Sequence, residues 1–213
     1  RLIYRLKPDV IHTWMYHANL VGGMVAKIMG CNNIVWAIRT TDSVGLKAST
    51  SSRLIRKLNA LLSSWIPNYI VYVAEAAKLN HEKNGYNNKF STVIPNGFDT
   101  LELSPTSIYD KKNLRERLGI SRNPIVIGSV GRFNVEKDHE TFISACGVLL
   151  KEQIKFKILL VGRELTPDNQ LLAEWIKATG CMEQFILCGE KSKVVPYFSI
   201  MDILCLHSRN EGF

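Results

Sequence analysis

The stretch Ile125-Val126-Ile127-Gly128-Ser129-Val130-Gly131-Arg132-Phe133-Asn134-Val135-Glu136-Lys137-Asp138-His139 decides the fold. Residues 125–130 are apolar or small at both alternating positions, the pattern of a strand buried on two faces. The strand ends in glycine, two cations follow five residues apart, and then an acid and a helical pattern begin. That layout is an anion site. Gly131 lets the backbone come close to a ligand, Arg132 forks onto phosphate oxygens, and Lys137 adds a point charge beside a helix N-terminus. Such a set neutralises a diphosphate without a metal. On this motif alone, pairing of Arg132 and Lys137 with Glu136 and Asp138 on a solvated turn accounts for the residues equally well.

Working outward, short β-branched runs alternate with longer amphipathic stretches. Strands are expected near Val10–Thr13, Ile34–Ala37, Tyr69–Val73, Ser91–Ile94, Ile125–Val130, Lys157–Val161, Gln184–Leu187 and Ile203–Leu206, with helices between most of them. Strands apolar on both faces, each followed by a helix, indicate the α/β class: two Rossmann-like, doubly wound parallel-sheet domains. Such sheets bind ligands at the carboxyl ends of their strands. The rhythm breaks over residues 95–123, where Pro95-Asn96-Gly97 turns the chain and a polar helical segment near Asp110–Leu118 precedes Gly119. The expected division is therefore 1–100 for one domain, 101–123 for a linker and 124–213 for a second domain. Residues 53–66 read as an amphipathic helix, with Leu54, Ile55, Leu58, Leu61, Leu62 and Trp65 expected to face the sheet and Pro67 to stop it.

Composition sets the remaining bounds. A chain of 213 residues, 46% hydrophobic and 22% charged, is ordinary globular protein rather than disordered or fibrous. The five cysteines are scattered without a C-x-x-C pair, so neither a disulfide framework nor a zinc site is indicated, and a reducing cytoplasm fits. No apolar run approaches the roughly 18–20 residues that span a bilayer. The net charge of +8 is uneven: residues 1–100 hold 12 Lys/Arg against 5 Asp/Glu, and residues 101–213 hold 15 against 14. A basic half suits an anionic surface, and the basic helix over 53–66 is suited to anionic lipid. Nucleic acid is disfavoured, because the basic residues are dispersed and no recognised reading motif is present.

Val130-Gly131-Arg132 followed by Lys137-Asp138, then Leu160-Val161-Gly162, Asp202-Ile203 and Ser208-x-x-Glu211-Gly212-Phe213, resembles the C-terminal domain of retaining glycosyltransferase family four, whose fold is GT-B. Pro8–Asn19, Trp36–Arg39 and Val93–Asp99 resemble the N-terminal domain and hinge of the same family, so the likeness covers nearly the whole chain. It implies transfer of a sugar from a nucleotide-diphosphate sugar to a glycan or lipid-linked acceptor with retention of configuration, without cofactor or metal, in surface polysaccharide or glycolipid assembly at the inner face of the membrane. It further implies that Arg132 and Lys137 grip the donor diphosphate beside Gly131. Glu211 is then the first acid of a Glu, seven residues, Glu motif and contacts the donor. Glu190 stands on a loop that frames the base, and His17 or His12 lies near the donor sugar or acceptor, where some members carry histidine at the place of Trp14. Arg39 and Asp42, on the loop after the Ile34–Ala37 strand, are expected to face the same cleft, where contact with the acceptor and plain surface charge are equally open readings. The second glutamate and the family's first glycine-rich loop are expected outside this stretch, so the chain alone is expected to be inactive. Two other classes stay open: a nucleotide-sugar 2-epimerase, which needs no acceptor, and a non-catalytic sugar-nucleotide or membrane-binding scaffold.

Overall fold

The computed structural model describes residues 2–41, 50–101, 103, 104, 106–121, 123–149, 154–209 and 211. They form two units, Arg1–Gly97 with Asn210–Phe213, and Phe98–Arg209. All eight expected strands are present, with ends displaced by at most two residues.

In the first unit a short helix α1 (Leu2–Leu6) precedes β1 (Ile11–Trp14), α2 (Met15–Ile28), β2 (Ile34–Ile38), α3 (Thr50–Leu62), β3 (Tyr69–Tyr72), α4 (Glu75–Lys83) and β4 (Ser91–Val93). The strands are parallel in the order β1-β2-β3-β4, with Thr13 opposite Trp36 and Trp36 opposite Ile70. Trp36, Ile34, Ile38, Ile66, Ile70 and Tyr72 make the core. Gly23 allows α2 to close on it, because a Cβ there would lie 2.6 Å from Trp36 Nε1 and 2.9 Å from Ile66.

Helix α3 corrects the expected packing. Leu54, Leu61 and Trp65 are exposed, at 57%, 74% and 53%. The buried seam instead runs through Asn59, Ser63 and Ile66, with Ile55 and Leu62 half-buried beside it. The physical reason is polar. Asn59 Nδ2 donates to the Tyr16 carbonyl on α2 at 3.0 Å and to the Ile55 carbonyl at 2.8 Å. The Ser63 hydroxyl donates to the Ala60 carbonyl and accepts from the Asn87 amide at 2.8 Å. These buried bonds orient the helix so that Leu54, Leu61 and Trp65 are left in water while Ile55, Leu58 and Leu62 are half-buried.

The second unit contains α5 (Ile108–Arg117), β5 (Ile125–Val130), a 3-10 turn (Val135–Lys137), α6 (His139–Leu149), β6 (Phe156–Val161), α7 (Gln170–Ala178), β7 (Phe185–Leu187), α8 (Val195–Ile200) and β8 (Ile203–Leu204). Its parallel strands run β7-β6-β5-β8, so the order reverses at β5. Alternate residues of β5 and β6 feed opposite faces. Ile127, Ile158 and Leu160 meet Phe142 and Ile143 of α6 and Leu172 and Ile176 of α7. Val126, Leu159 and Val161 meet Ile200 of α8 together with Leu114 and Leu118. Helix α5, which the sequence reading leaves in the linker over 101–123, is thus part of this unit. Its polar outer surface hides the few apolar residues that carry the packing, and Ser107 caps it by accepting from the Asp110 amide.

The α3 seam has a measurable consequence. Asn59→Ala should lower stability by about 1–3 kcal/mol, the cost of leaving the Tyr16 carbonyl unpaired. Leu61→Ser should stay within about 0.5 kcal/mol of the parent. Chemical denaturation distinguishes this ranking from the reverse, which the hydrophobic pattern alone implies.

Candidate functional site

The reversal at β5 opens a crevice at the carboxyl ends of the strands, the place where open α/β sheets bind ligands. Val130 and Val161 are register partners, and both strand ends continue as Gly-Arg: Gly131-Arg132 and Gly162-Arg163. The ladder runs past the strands, since the Gly131 amide donates to the Val161 carbonyl and the Phe133 amide to the Arg163 carbonyl, both at 2.9 Å. Gly162 has φ +153°, and a Cβ there would lie 2.0 Å from the Gly131 carbonyl oxygen. The two loops touch backbone to backbone. The Gly162 amide donates in turn to the Gly189 carbonyl of the loop after β7.

Three adjacent strand ends therefore present three cations, Arg132, Arg163 and Lys191, around a cleft of about 330 Å³ that Glu190 also lines. Arg132 and Glu190 are expected site residues, and the structure brings them together. Arg163 and Lys191 are additions. The signal for Arg163 was present as the second Val-Gly-Arg, whereas Lys191 follows a glycine turn without a distinctive pattern. Arg163 makes an exposed ion pair with Glu164 at 3.7 Å, of the weak, solvent-screened kind.

Lys137 joins this group through its stem. A Cβ on Gly131 would lie 3.6 Å from Lys137 Cδ and 3.7 Å from Cε, so the side chain passes over the glycine. The turn that carries it is closed by Asn134, whose side chain accepts from the Glu136 amide at 2.9 Å, and by Asp138 in the left-handed conformation at φ 51°. Asp138 does not account for the Arg132 charge. Its carboxylate accepts from Arg209 at 2.7 Å, and that hydrogen bond holds its pKa below the usual carboxylate range. Among the described residues the Arg132 guanidinium takes part in no ion pair. Arg132 is exposed, and the solvated pairing that the motif left open is not made on its side.

Behind the turn stand two histidines the sequence reading did not single out. His139 Nε2 lies 3.2 Å from the Arg132 carbonyl. His207, on the loop after β8, bonds the Lys137 carbonyl through Nδ1 and the Ser129 hydroxyl through Nε2 at 2.7 Å. Burial holds both imidazoles below the usual histidine range. The Arg209 amide donates to the Glu136 carbonyl at 2.8 Å, so the loop after β8 is stitched to the loop after β5. Burial likewise pushes the nearby Cys146 thiol up to about 12, which makes it inert packing.

The other expected residues lie in the first unit. His17 is exposed in the first turn of α2. The His12 ring lies 5.3 Å from that of Trp14, and the Arg39 guanidinium stands 5.0 Å from the centre of the Trp14 ring. Arg39 is thus a cation over an exposed indole rather than an isolated surface charge. Glu211 groups with this unit, where the Thr41 hydroxyl donates to its backbone carbonyl at 2.6 Å. Asp42, Asn210, Gly212 and Phe213 lie outside the described residues. No group of three or more His, Cys, Asp or Glu among the described residues is arranged to hold a metal ion, and no described helix is long and apolar enough to cross a membrane.

Residues 110–213 match the family described as Glycosyl transferases group 1. The chain is 22% identical over 220 residues to the lipopolysaccharide core biosynthesis mannosyltransferase LpsB of Rhizobium meliloti (strain 1021), covering 96% of this chain and 58% of that protein. It is also 22% identical over 215 residues to the UDP-Gal:alpha-D-GlcNAc-diphosphoundecaprenol alpha-1,3-galactosyltransferase of Escherichia coli, covering 100% of this chain and 55% of the relative. Among solved structures, Anabaena Alr3699/HepE in complex with UDP-glucose shares the fold, with a TM-score of 0.78 at 21% identity over 94% of this chain and 53% of that one. The chain thus spans somewhat more than half the length of each of these proteins. The matched segment, 110–213, holds all of β5–β8 and every cation of the cleft, so it is the part of the chain that is similar to the glycosyl transferases group 1 family.

Proposed function

We propose that this chain contributes the donor-binding half of a glycosyltransferase that moves a sugar from a nucleotide-diphosphate sugar to a glycan or lipid-linked acceptor, with retention at the anomeric carbon. The observation that carries this reading is the cationic cleft at the β5 switch point, built from the segment that matches the family. As the bond from the anomeric carbon to the diphosphate breaks, negative charge grows on the leaving oxygens while the sugar becomes oxocarbenium-like. Arg132 and Lys137 stabilise the leaving charge from fixed positions, and preorganised charge of this kind is commonly the largest catalytic contribution. Glu190 lines the base side of the same cleft. The family likeness adds Glu211 as a contact to the donor sugar and His17 as a contact to donor or acceptor. The relatives' names, a lipopolysaccharide mannosyltransferase and a galactosyltransferase acting on a diphosphoundecaprenol acceptor, support the substrate classes.

Titration with UDP and GDP tests the grip. Arg132→Ala and Lys137→Ala should each weaken binding by about ten-fold or more, the worth of a hydrogen bond to a charged group. In a polypeptide that carries this chain and turns over, each should cut acceptor-dependent release of nucleoside diphosphate by about a hundred-fold. Unchanged binding and turnover in both variants would sink the reading. Release or sugar interconversion without acceptor would replace it with the epimerase.

The acceptor side favours a membrane contact. The stripe of Leu54 and Leu61 on α3, with Trp65 just after it, is exposed and flanked by the exposed cations Arg53 and Lys57, in the half of the chain that carries most of the excess positive charge. An apolar stripe rimmed by cations is the pattern of a helix lying in an anionic lipid interface. The chain should co-float with vesicles containing phosphatidylglycerol and not with pure phosphatidylcholine. Trp65→Ser with Leu61→Ser should abolish flotation without loss of thermal stability. Flotation that survives the double substitution assigns the contact to another surface.

A further inference from the structure

The ammonium of Lys137 sits at the end of a flexible stem on a short turn, and its position depends on what holds that turn. A carbonyl oxygen only accepts, so His207 Nδ1 carries the proton it donates to Lys137, and in the neutral ring Nε2 accepts from the Ser129 hydroxyl. Ser129 is a buried residue of β5, so the imidazole ties the turn to the central strand of the sheet. The ring is fixed from a third side by Phe142 of α6, stacked at 4.5 Å with planes 10° apart. At the other end of the loop His139 donates from Nε2 to the Arg132 carbonyl, with Phe133 stacked on it at 5.8 Å. Both peptide carbonyls adjoining the gripping side chains are therefore drawn back toward the sheet. Asp138, next to Lys137, holds a left-handed backbone that surrounding contacts must enforce.

We propose that His207 is a positioning residue for the donor grip: by holding the Lys137 carbonyl against β5, it sets the ammonium over Gly131 before the diphosphate arrives. This rests on the donor reading above. The advantage is preorganisation, since a cation already in place needs no ordering when charge appears on the leaving oxygens. His207 acts through the turn, by its bonds to the Lys137 carbonyl and the Ser129 hydroxyl.

Three substitutions separate the clamp from packing. His207→Asn keeps a donor near the Nδ1 position, His207→Gln removes it but retains a polar reach toward Ser129, and His207→Leu keeps only bulk. Backbone amide exchange over residues 132–138, measured without ligand, should quicken by about ten-fold or more in the Leu and Gln variants and return to within about three-fold of the parent in the Asn variant. UDP and GDP affinity by calorimetry should follow the same order. Uridine, which lacks the phosphates, should bind all four forms alike by NMR titration. Parent-like exchange and UDP affinity in His207→Leu would overturn the proposal, as would equal losses of UDP and uridine, which mean general damage to the unit. A parent chain that binds neither UDP nor GDP overturns the donor reading and the positioning role with it. A parent that binds UDP and a Leu variant that binds it equally well overturn the positioning role alone.

Discussion

Everything in the second unit follows from the reversal of strand order at β5. With β6 on one side and β8 on the other, the chain leaving β5 and the chain leaving β8 emerge side by side, and the loops that follow have no strand between them. The loops after β5 and β8 bond to each other, and the cleft lies on the other side of β5, over the ends of β5, β6 and β7. Into that cleft the sequence places glycine at the end of β5 and glycine at the end of β6, with an arginine after each. The helices on both faces serve this arrangement: α6 and α7 bury one set of alternating residues, α5 and α8 the other, and the central strands become too well packed to shift. A rigid sheet is what allows short loops to hold charges at fixed spacing.

The fold was readable because its main signals are local. β5 is apolar or small throughout and β6 is apolar but for Lys157, and each is followed by glycine, a pattern that suits a parallel strand buried on two faces. Arg132 and Lys137 were readable for the same reason, since the glycine, the cations and the helix start lie within a few residues of one another. His207 and Arg163 are different. Each acquires its role from a partner far along the chain, Lys137 in one case and the register opposite Val130 in the other. Neither relation exists until strands pair. Helix α3 shows the converse failure, where a strong local pattern gives the wrong face. Asn59 and Ser63 are small polar residues whose bonds to Tyr16 and Asn87 are satisfied only in the folded unit, so hydrophobic periodicity scores them as exposed.

The two units also divide the chemistry. The second gathers cations at the strand ends, as suits a ligand whose charge grows during reaction. The first carries an exposed indole with Arg39 over its ring, an apolar stripe and most of the excess positive charge. Indole, guanidinium and apolar helix are the groups on which the proposed contact with an anionic lipid surface rests. The charge asymmetry that composition alone left undecided thus acquires a location.

The contact between Gly131 and Gly162 bears on how the site can change. With no side chain between those two loops, their spacing is fixed by backbone atoms: a Cβ on Gly162 would lie 2.0 Å from the Gly131 carbonyl oxygen, so Gly162 accepts no substituent without displacing that loop, whereas a Cβ on Gly131 would meet only the Lys137 stem at ordinary contact distance. The β5 and β6 side of the cleft is therefore a rigid wall. The β7 side is not: Gly189 meets Gly162 through a hydrogen bond from the Gly162 amide, and the residues beyond it, Glu190 and Lys191, are exposed. Under the proposed donor reading, redesign of the cleft for a larger or smaller nucleobase has its freedom in that third loop, while the end beside Gly131 and Gly162 stays as it is.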